Sequence, residues 1–168
     1  STFIWANVIG LTMTFLALGY WLGGRIADRY PSPALLFTIT GVAAVVAGFI
    51  PIISHPILEV SLEAFDEVAV GAFYGSLVGT LILIGVPVTL LGFVSPFAIR
   101  LLVPEVAAAG NTAGNLYALS TVGSILGSFL PVILLIPTVG TARTFLILAM
   151  LLLIPSIIAL ALIRRHMR

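Results

Sequence analysis

Five long stretches without a single Asp, Glu, Lys, Arg or His dominate this chain. They run over about 3–22, 34–53, 70–94, 113–136 and 144–163. A bilayer hydrocarbon core about 30 Å thick is crossed by roughly 20 apolar residues of helix, and each stretch is long enough. The runs are continuous rather than alternating, and an open sheet cannot satisfy its backbone in hydrocarbon, so strands are a poor alternative. The expectation is an all-α, polytopic transmembrane helix bundle of about five spans forming one domain over residues 1–168. Composition agrees: 61% of the residues are hydrophobic and 8% charged, too little charge to cover a water-exposed surface.

Between the runs, the punctuation is ordinary. Pro31 and Pro33 are expected to start the second helix and Ser54-His55-Pro56 to end it. Pro96 and Pro104 bracket a short extramembrane segment, and Pro137 with Gly140 makes a tight turn before the fifth helix. Pro87 and Pro131 fall inside apolar runs and predict kinks. With five spans, Arg25, Arg29, Arg100, Arg164, Arg165 and Arg168 share one side and only Arg143 lies on the other. The positive-inside rule makes the first side cytoplasmic, which puts the C-terminal end in the cytoplasm; Trp5, Tyr20, Trp21 and Tyr30 fall at the interfaces. The chain opens on Ser1 directly into an apolar run and stops abruptly after Arg164–Arg168, which predicts a piece of a longer protein.

Residues 57–67, ILEVSLEAFDE, set Glu59, Glu63, Asp66 and Glu67 against Ile57, Leu58, Leu62 and Phe65. That spacing predicts a short amphipathic interfacial helix, either a connector that keeps the loop soluble or a cation-collecting rim.

Several function classes lose support at this stage. Lysine is absent and the net charge is +1, so no basic face for nucleic acid is available. Cysteine is absent, and His55 and His166 lie far apart, so neither a metal site nor a cofactor site can be argued. No nucleophile–base pair and no phosphate-binding glycine loop in a suitable context is present, so the chain is not expected to be an enzyme by itself. Ionisable residues inside a membrane mark ion and proton paths, and the five apolar cores hold none.

Small residues recur at spacings that let helices approach closely. Gly71, Gly75 and Gly79 form a double GxxxG, while Gly19/Gly23, Gly110/Gly114 and Gly123/Gly127 form single ones. They predict packing within the bundle, with a homo-oligomer interface through Gly71, Gly75 and Gly79 as the alternative. Gly114, Tyr117, Thr121, Ser124 and Ser128 define one small, polar face on the fourth span, and Asn7, Gly10, Thr14 and Ala17 a weaker one on the first. Such a face packs against another helix or lines a hydrated path.

The string GGRIADR over 23–29 resembles the G-x-x-A-D-R loop signature of major facilitator transporters, in which the Asp and Arg form a conformational latch. Gly24, Ala27, Asp28 and Arg29 fit; Pro31, Ser32 and Pro33 replace the glycine and basic residues that follow in that family. On this reading Asp28 and Arg29 are the candidates for conformational coupling, with Arg25 anchoring the inner face. Asp28 is expected to pair with Arg25 or Arg29 or to cap the next helix. Arg100 and Glu105 are a second candidate pair.

Three longer strings, 17–31 ALGYWLGGRIADRYP, 92–102 GFVSPFAIRLL and 113–141 AGNLYALSTVGSILGSFLPVILLIPTVGT, are similar to the membrane domain of bacterial fused spermidine-synthase-like proteins. The resemblance covers nearly the whole chain. It implies a membrane anchor in the bacterial inner membrane, a soluble aminopropyltransferase-like domain beyond it, and a link to polyamines through that domain or through passage of a small molecule. It carries over no catalytic residue, because those of the family belong to the soluble domain. Two other readings stay open: half of a transporter related to the major facilitators, and a structural subunit of a larger membrane complex.

Overall fold

The computed structural model describes residues 2–63, 70–103 and 109–166, and the described residues are helical with no strand among them. The helices are α1 (Thr2–Arg29), α2 (Pro33–Glu63), α3 (Val70–Leu83), α4 (Gly85–Gly92), α5 (Val94–Leu102), α6 (Ala109–Leu130), α7 (Ile136–Val139) and α8 (Thr141–His166), with a π-helical turn over Pro131–Leu135 joining α6 to α7. Five stretches are long and apolar enough to cross a membrane: Ile4–Arg29, Pro33–Ser54, Gly85–Leu102, Gly110–Val139 and Thr141–His166. Large apolar side chains such as Trp5, Leu119, Ile133 and Leu151 stand mostly exposed, an arrangement suited to lipid rather than water.

Proline decides where these helices stop and bend. Tyr30 leaves the helix because Pro31 follows it, and Pro33 takes the first position of α2, where its missing N–H is not needed. The turn closes through Ser32, whose N–H donates to the Tyr30 carbonyl and whose own carbonyl accepts from Leu36. Contrary to expectation, Ser54-His55-Pro56 does not end α2: the helix runs through Pro51 and Pro56 to Glu63. Its 31 residues span about 46 Å at the helical rise, well beyond a bilayer core. Residues 57–63 of the expected amphipathic helix therefore continue α2, and 64–67 lie outside the described residues.

The third apolar stretch breaks at Ile84 and Phe93, each three residues before a proline. Pro87 and Pro96 cannot donate to the carbonyls four residues back, and the ladder slips at the next residue. Hydrogen bonds bridge both breaks, from Ile84 N–H to Thr80, Val88 N–H to Ile84 and Phe93 N–H to Leu90. Pro96, expected in an extramembrane segment, instead sits inside α5, which ends at extended Val103, just before Pro104. After Pro131 the helix widens to a π turn, with the Ile136 N–H reaching the Pro131 carbonyl. Gly140 then turns the chain at φ 83°, a left-handed conformation that glycine adopts without strain.

Packing runs through glycine. α2 lies on α8, and a Cβ placed on Gly41 or Gly48 would meet Ser156 Cβ at 3.6 Å or Ala149 Cβ at 3.4 Å. Rising numbers on α2 thus meet falling numbers on α8, so the two are antiparallel. Arg164 and Arg165 therefore reach the end of the bundle where α1 finishes and α2 begins. On the other flank α1 packs on α3, α4 and α5, and α2 closes the centre against α3 and α4. Among the described residues helix α6 packs mainly on α5, and from Tyr117 to Leu130 every residue is exposed.

Candidate functional site

α1 and α4 meet backbone to backbone at Gly19 and Gly92. A Cβ on Gly92 would lie 2.9 Å from the Gly19 Cα and 3.0 Å from the Leu16 carbonyl oxygen. One turn on, a Cβ on Gly23 would come within 2.7 Å of the Phe93 Cα, and the ring of Phe15 fills the space that Gly85 leaves open. This contact carries α1 across the break at Phe93 onto α5, where Ala27, Phe93 and Phe97 form a buried cluster backed by Leu22, Ile26, Leu35 and Ile39. The two helices are thereby held with their polar ends side by side.

At that end the Asp28 carboxylate pairs with Arg100, Oδ1 to Nε at 3.1 Å. This corrects two expectations: the partner of Asp28 is neither Arg25 nor Arg29, and Asp28 caps no helix. The carboxylate partner of Arg100 is Asp28; Glu105 lies outside the described residues. The guanidinium of Arg25 stacks 3.8 Å from the centroid of Trp21, and that of Arg29 lies 5.6 Å from the centroid of Tyr30. Both members of the ion pair are well exposed, Arg100 49% and Asp28 75%, and exposed pairs contribute about 0–1 kcal/mol. Asp28→Asn is accordingly expected to lower the unfolding free energy by under about 1 kcal/mol, checked by thermal melts of the detergent-solubilised chain. A larger loss would mean that Asp28 holds more than Arg100.

Just beyond the ion pair, α1, α5 and α6 enclose a cleft of about 250 Å³ lined by Tyr20, Ser95, Pro96, Ile99, Tyr117 and Ser120. Several hydroxyls elsewhere return to the carbonyl four residues back, as in Thr89 to Gly85, Thr121 to Tyr117, Thr144 to Gly140 and Ser156 to Leu152. None of the four hydroxyls in the cleft is hydrogen-bonded within the described residues. Of the polar face expected on α6, Tyr117 enters this cleft, while Thr121, Ser124 and Ser128 are exposed. On the first span, Asn7 donates to Ser76 Oγ at 3.1 Å and ties α1 to α3.

The glycine motifs divide. Gly75 and Gly79 are buried on α3, and Gly71 lies on the same helix. Gly123 and Gly127 differ: a Cβ on either would meet nothing within 4 Å, so within the described residues they pack against no helix. The Gly41/Gly48 and Ala149/Ser156 pairs were missed, and their signal is small residues seven apart on two facing helices.

Fold and site together define a polytopic α-helical membrane protein, and among the described residues no group of three or more His, Asp or Glu could hold a metal ion. Compared with known proteins, the chain matches no family model, no curated protein and no solved structure.

Proposed function

We propose that this chain is a membrane-embedded anchoring domain, without chemistry of its own, that completes its packing against further membrane helices. The observation that carries this reading is α6. Its Gly123 and Gly127 have the spacing that brings helices together, yet among the described residues nothing stands within 4 Å of where a Cβ would be. The resemblance of 17–31, 92–102 and 113–141 to fused spermidine-synthase-like proteins supplies the anchored activity: aminopropyl transfer by a soluble domain on the arginine-rich side. The positive-inside rule supports a cytoplasmic position for that side, and the resemblance implies the bacterial inner membrane. In the second reading the chain is an accessory subunit of a larger complex; the same uncovered α6 favours it equally. Passage of a small molecule along Tyr117, Thr121, Ser124 and Ser128 is a third use of that face.

Two measurements test this. Residues 1–168 hold no cysteine, so Gly127→Cys introduces the one thiol of this membrane domain. In native membranes it is expected to cross-link to another helix, and Gly123→Leu is expected to weaken that association while helical content stays unchanged. A thiol that reacts only with lipid-phase reagents would overturn the packing role. Intact mass and peptide mapping of the native protein then separate the first two readings. Soluble aminopropyltransferase-like peptides on the same polypeptide are expected; a mass near 17.7 kDa leaves the accessory subunit.

A further inference from the structure

The seam between α2 and α8 is a trough along the outside of the bundle. Its floor is made of small residues: Gly41 lies against Ser156 and Gly48 against Ala149, and both α8 residues are buried. Its walls are apolar, with Val42 and Val45 on α2 and Met150 and Ile157 on α8 each about half exposed. Two hollows of about 310 and 390 Å³ adjoin along it, sharing Val45 and Leu153. The first reaches from Phe37 to Val46 on α2, about 14 Å at the helical rise, close to one leaflet's half of a core about 30 Å thick. On α8 the lining residues Leu146, Met150, Leu153, Ile157 and Leu160 are spaced by fours and threes and keep to one face. The same series continues to Arg164, one turn beyond Leu160 in the same helix, which puts this arginine at the mouth of the first hollow. Arg164 is exposed and has no partner among the described residues, whereas Asp28, the one acid described at that end, is taken by Arg100. Since Gly41 faces Ser156 in an antiparallel pair, Arg164 comes level with Pro33, where the first turn of α2 adds the positive end of its dipole.

We infer that this trough holds one anionic phospholipid of the arginine-rich leaflet, with an acyl chain in the hollow between Phe37 and Val46 and its phosphate at Arg164. The hollow is uncharged, as a chain of methylenes requires. The two hydroxyls that line it, Thr38 and Ser156, both donate to carbonyls of their own helices and offer a headgroup no free proton. The charge stands one turn further out, at the membrane surface, where an unpaired arginine attracts an anionic headgroup over a zwitterionic one. A phospholipid joins an anion to an apolar chain of one leaflet's length, which is the separation the trough presents. Arg143 ends the same α8 face on the far side, 21 positions and about 31 Å from Arg164, and so belongs to the other leaflet. The inference requires only that the chain lies in a bilayer. It uses a face other than that of α6 and is independent of what the chain anchors.

The test is native mass spectrometry of the full chain, extracted into detergent from nanodiscs of equal parts palmitoyl-oleoyl phosphatidylglycerol and phosphatidylcholine. One retained phosphatidylglycerol per chain is expected, favoured about fivefold or more, the ratio that about 1 kcal/mol per arginine near an anionic headgroup gives. Val45→Trp fills the point where the hollows meet and Ile157→Ala removes part of a wall. Both positions are exposed, and both variants should lose the retained lipid with helical content unchanged. Arg164→Gln should keep a lipid but lose the preference. Arg143→Gln at the far end, and Ile9→Ala on α1, should retain both lipid and preference. Equal retention of the two lipids, unchanged retention in Val45→Trp and Ile157→Ala, or a preference lost with Arg143 and not with Arg164 would overturn the assignment. So would full displacement by glycerol 3-phosphate, which would mark a site for a soluble anion. A lipid-free dimer abolished by Val45→Trp would overturn it too, by giving the trough to a second copy of the chain.

Discussion

Gly19→Leu is expected to lower the stability of the bundle by about 3 kcal/mol or more, the upper end of what overpacking a tight contact costs. The side chain at position 19 would run into backbone: the Thr89 carbonyl oxygen lies nearest, with the Gly92 Cα at 2.9 Å. A clash with a flexible side chain relaxes by rotation, whereas one with a helix backbone relaxes only if the helices part. Parting α1 from α4 would also loosen the Phe15–Gly85 contact and draw Gly23 off Phe93 and Pro96. Thermal melts of the solubilised chain, followed by circular dichroism, provide the readout. Gly10→Leu is the control, since nothing lies within 4 Å of its Cβ position. It should be neutral or gain slightly, because glycine in a helix interior is about 0.8–1 kcal/mol worse than alanine and leucine ranks close to alanine. Equal melting of the two variants would show that α1 and α4 are not in contact.

Phe97→Ala is expected to have the next largest effect, about 3 kcal/mol, at the low end of the range for removing a buried ring from a soluble core. Phe97 is 0% exposed and sits with Ala27 and Phe93 where α1, α2 and α5 converge. In lipid the transfer part of the loss shrinks, since hydrocarbon outside the bundle is as apolar as the inside. What remains is the lost dispersion contact and the cavity. Phe97→Leu keeps most of the volume and should lose under about 1.5 kcal/mol. Phe129→Ala, at a 61% exposed position on α6, should change intrachain stability by no more than about 0.5 kcal/mol. A melting point for Phe97→Ala matching that of Phe129→Ala would sink the buried cluster as a stabilising element.

The glycine pairs show how far spacing alone can be read. Gly19/Gly23 and Gly123/Gly127 have the same spacing in similarly apolar surroundings, yet among the described residues the first pair receives a helix backbone and the second receives nothing. Spacing determines that a helix can be approached closely; which helix arrives depends on how the chain returns. The Gly41 and Gly48 contacts escaped notice for the converse reason. Seven-residue spacing becomes a signal only beside the matching Ala149 and Ser156 of α8. The partner of Asp28 follows the same rule: Arg25 and Arg29 are near in sequence, but the Gly19–Gly92 contact brings Arg100 alongside instead.

Prolines were legible in part. The break at Ile84 follows from Pro87 within an apolar run, and the stop at Tyr30 from Pro31. The continuation of α2 through Pro51 and Pro56 was not legible, because a missing hydrogen bond interrupts a helix only where the chain has somewhere better to go. Helical class and membrane-crossing character were readable from the linear order of residues alone. Runs free of ionisable groups leave the backbone no partner but itself, and the helix is the solution within one segment. The glycines that carry load, the meeting of Asp28 with Arg100, the four hydroxyls in one cleft and the uncovered α6 were decided only in three dimensions. Each depends on residues distant in sequence arriving at one place, and that is set by the packing of whole helices.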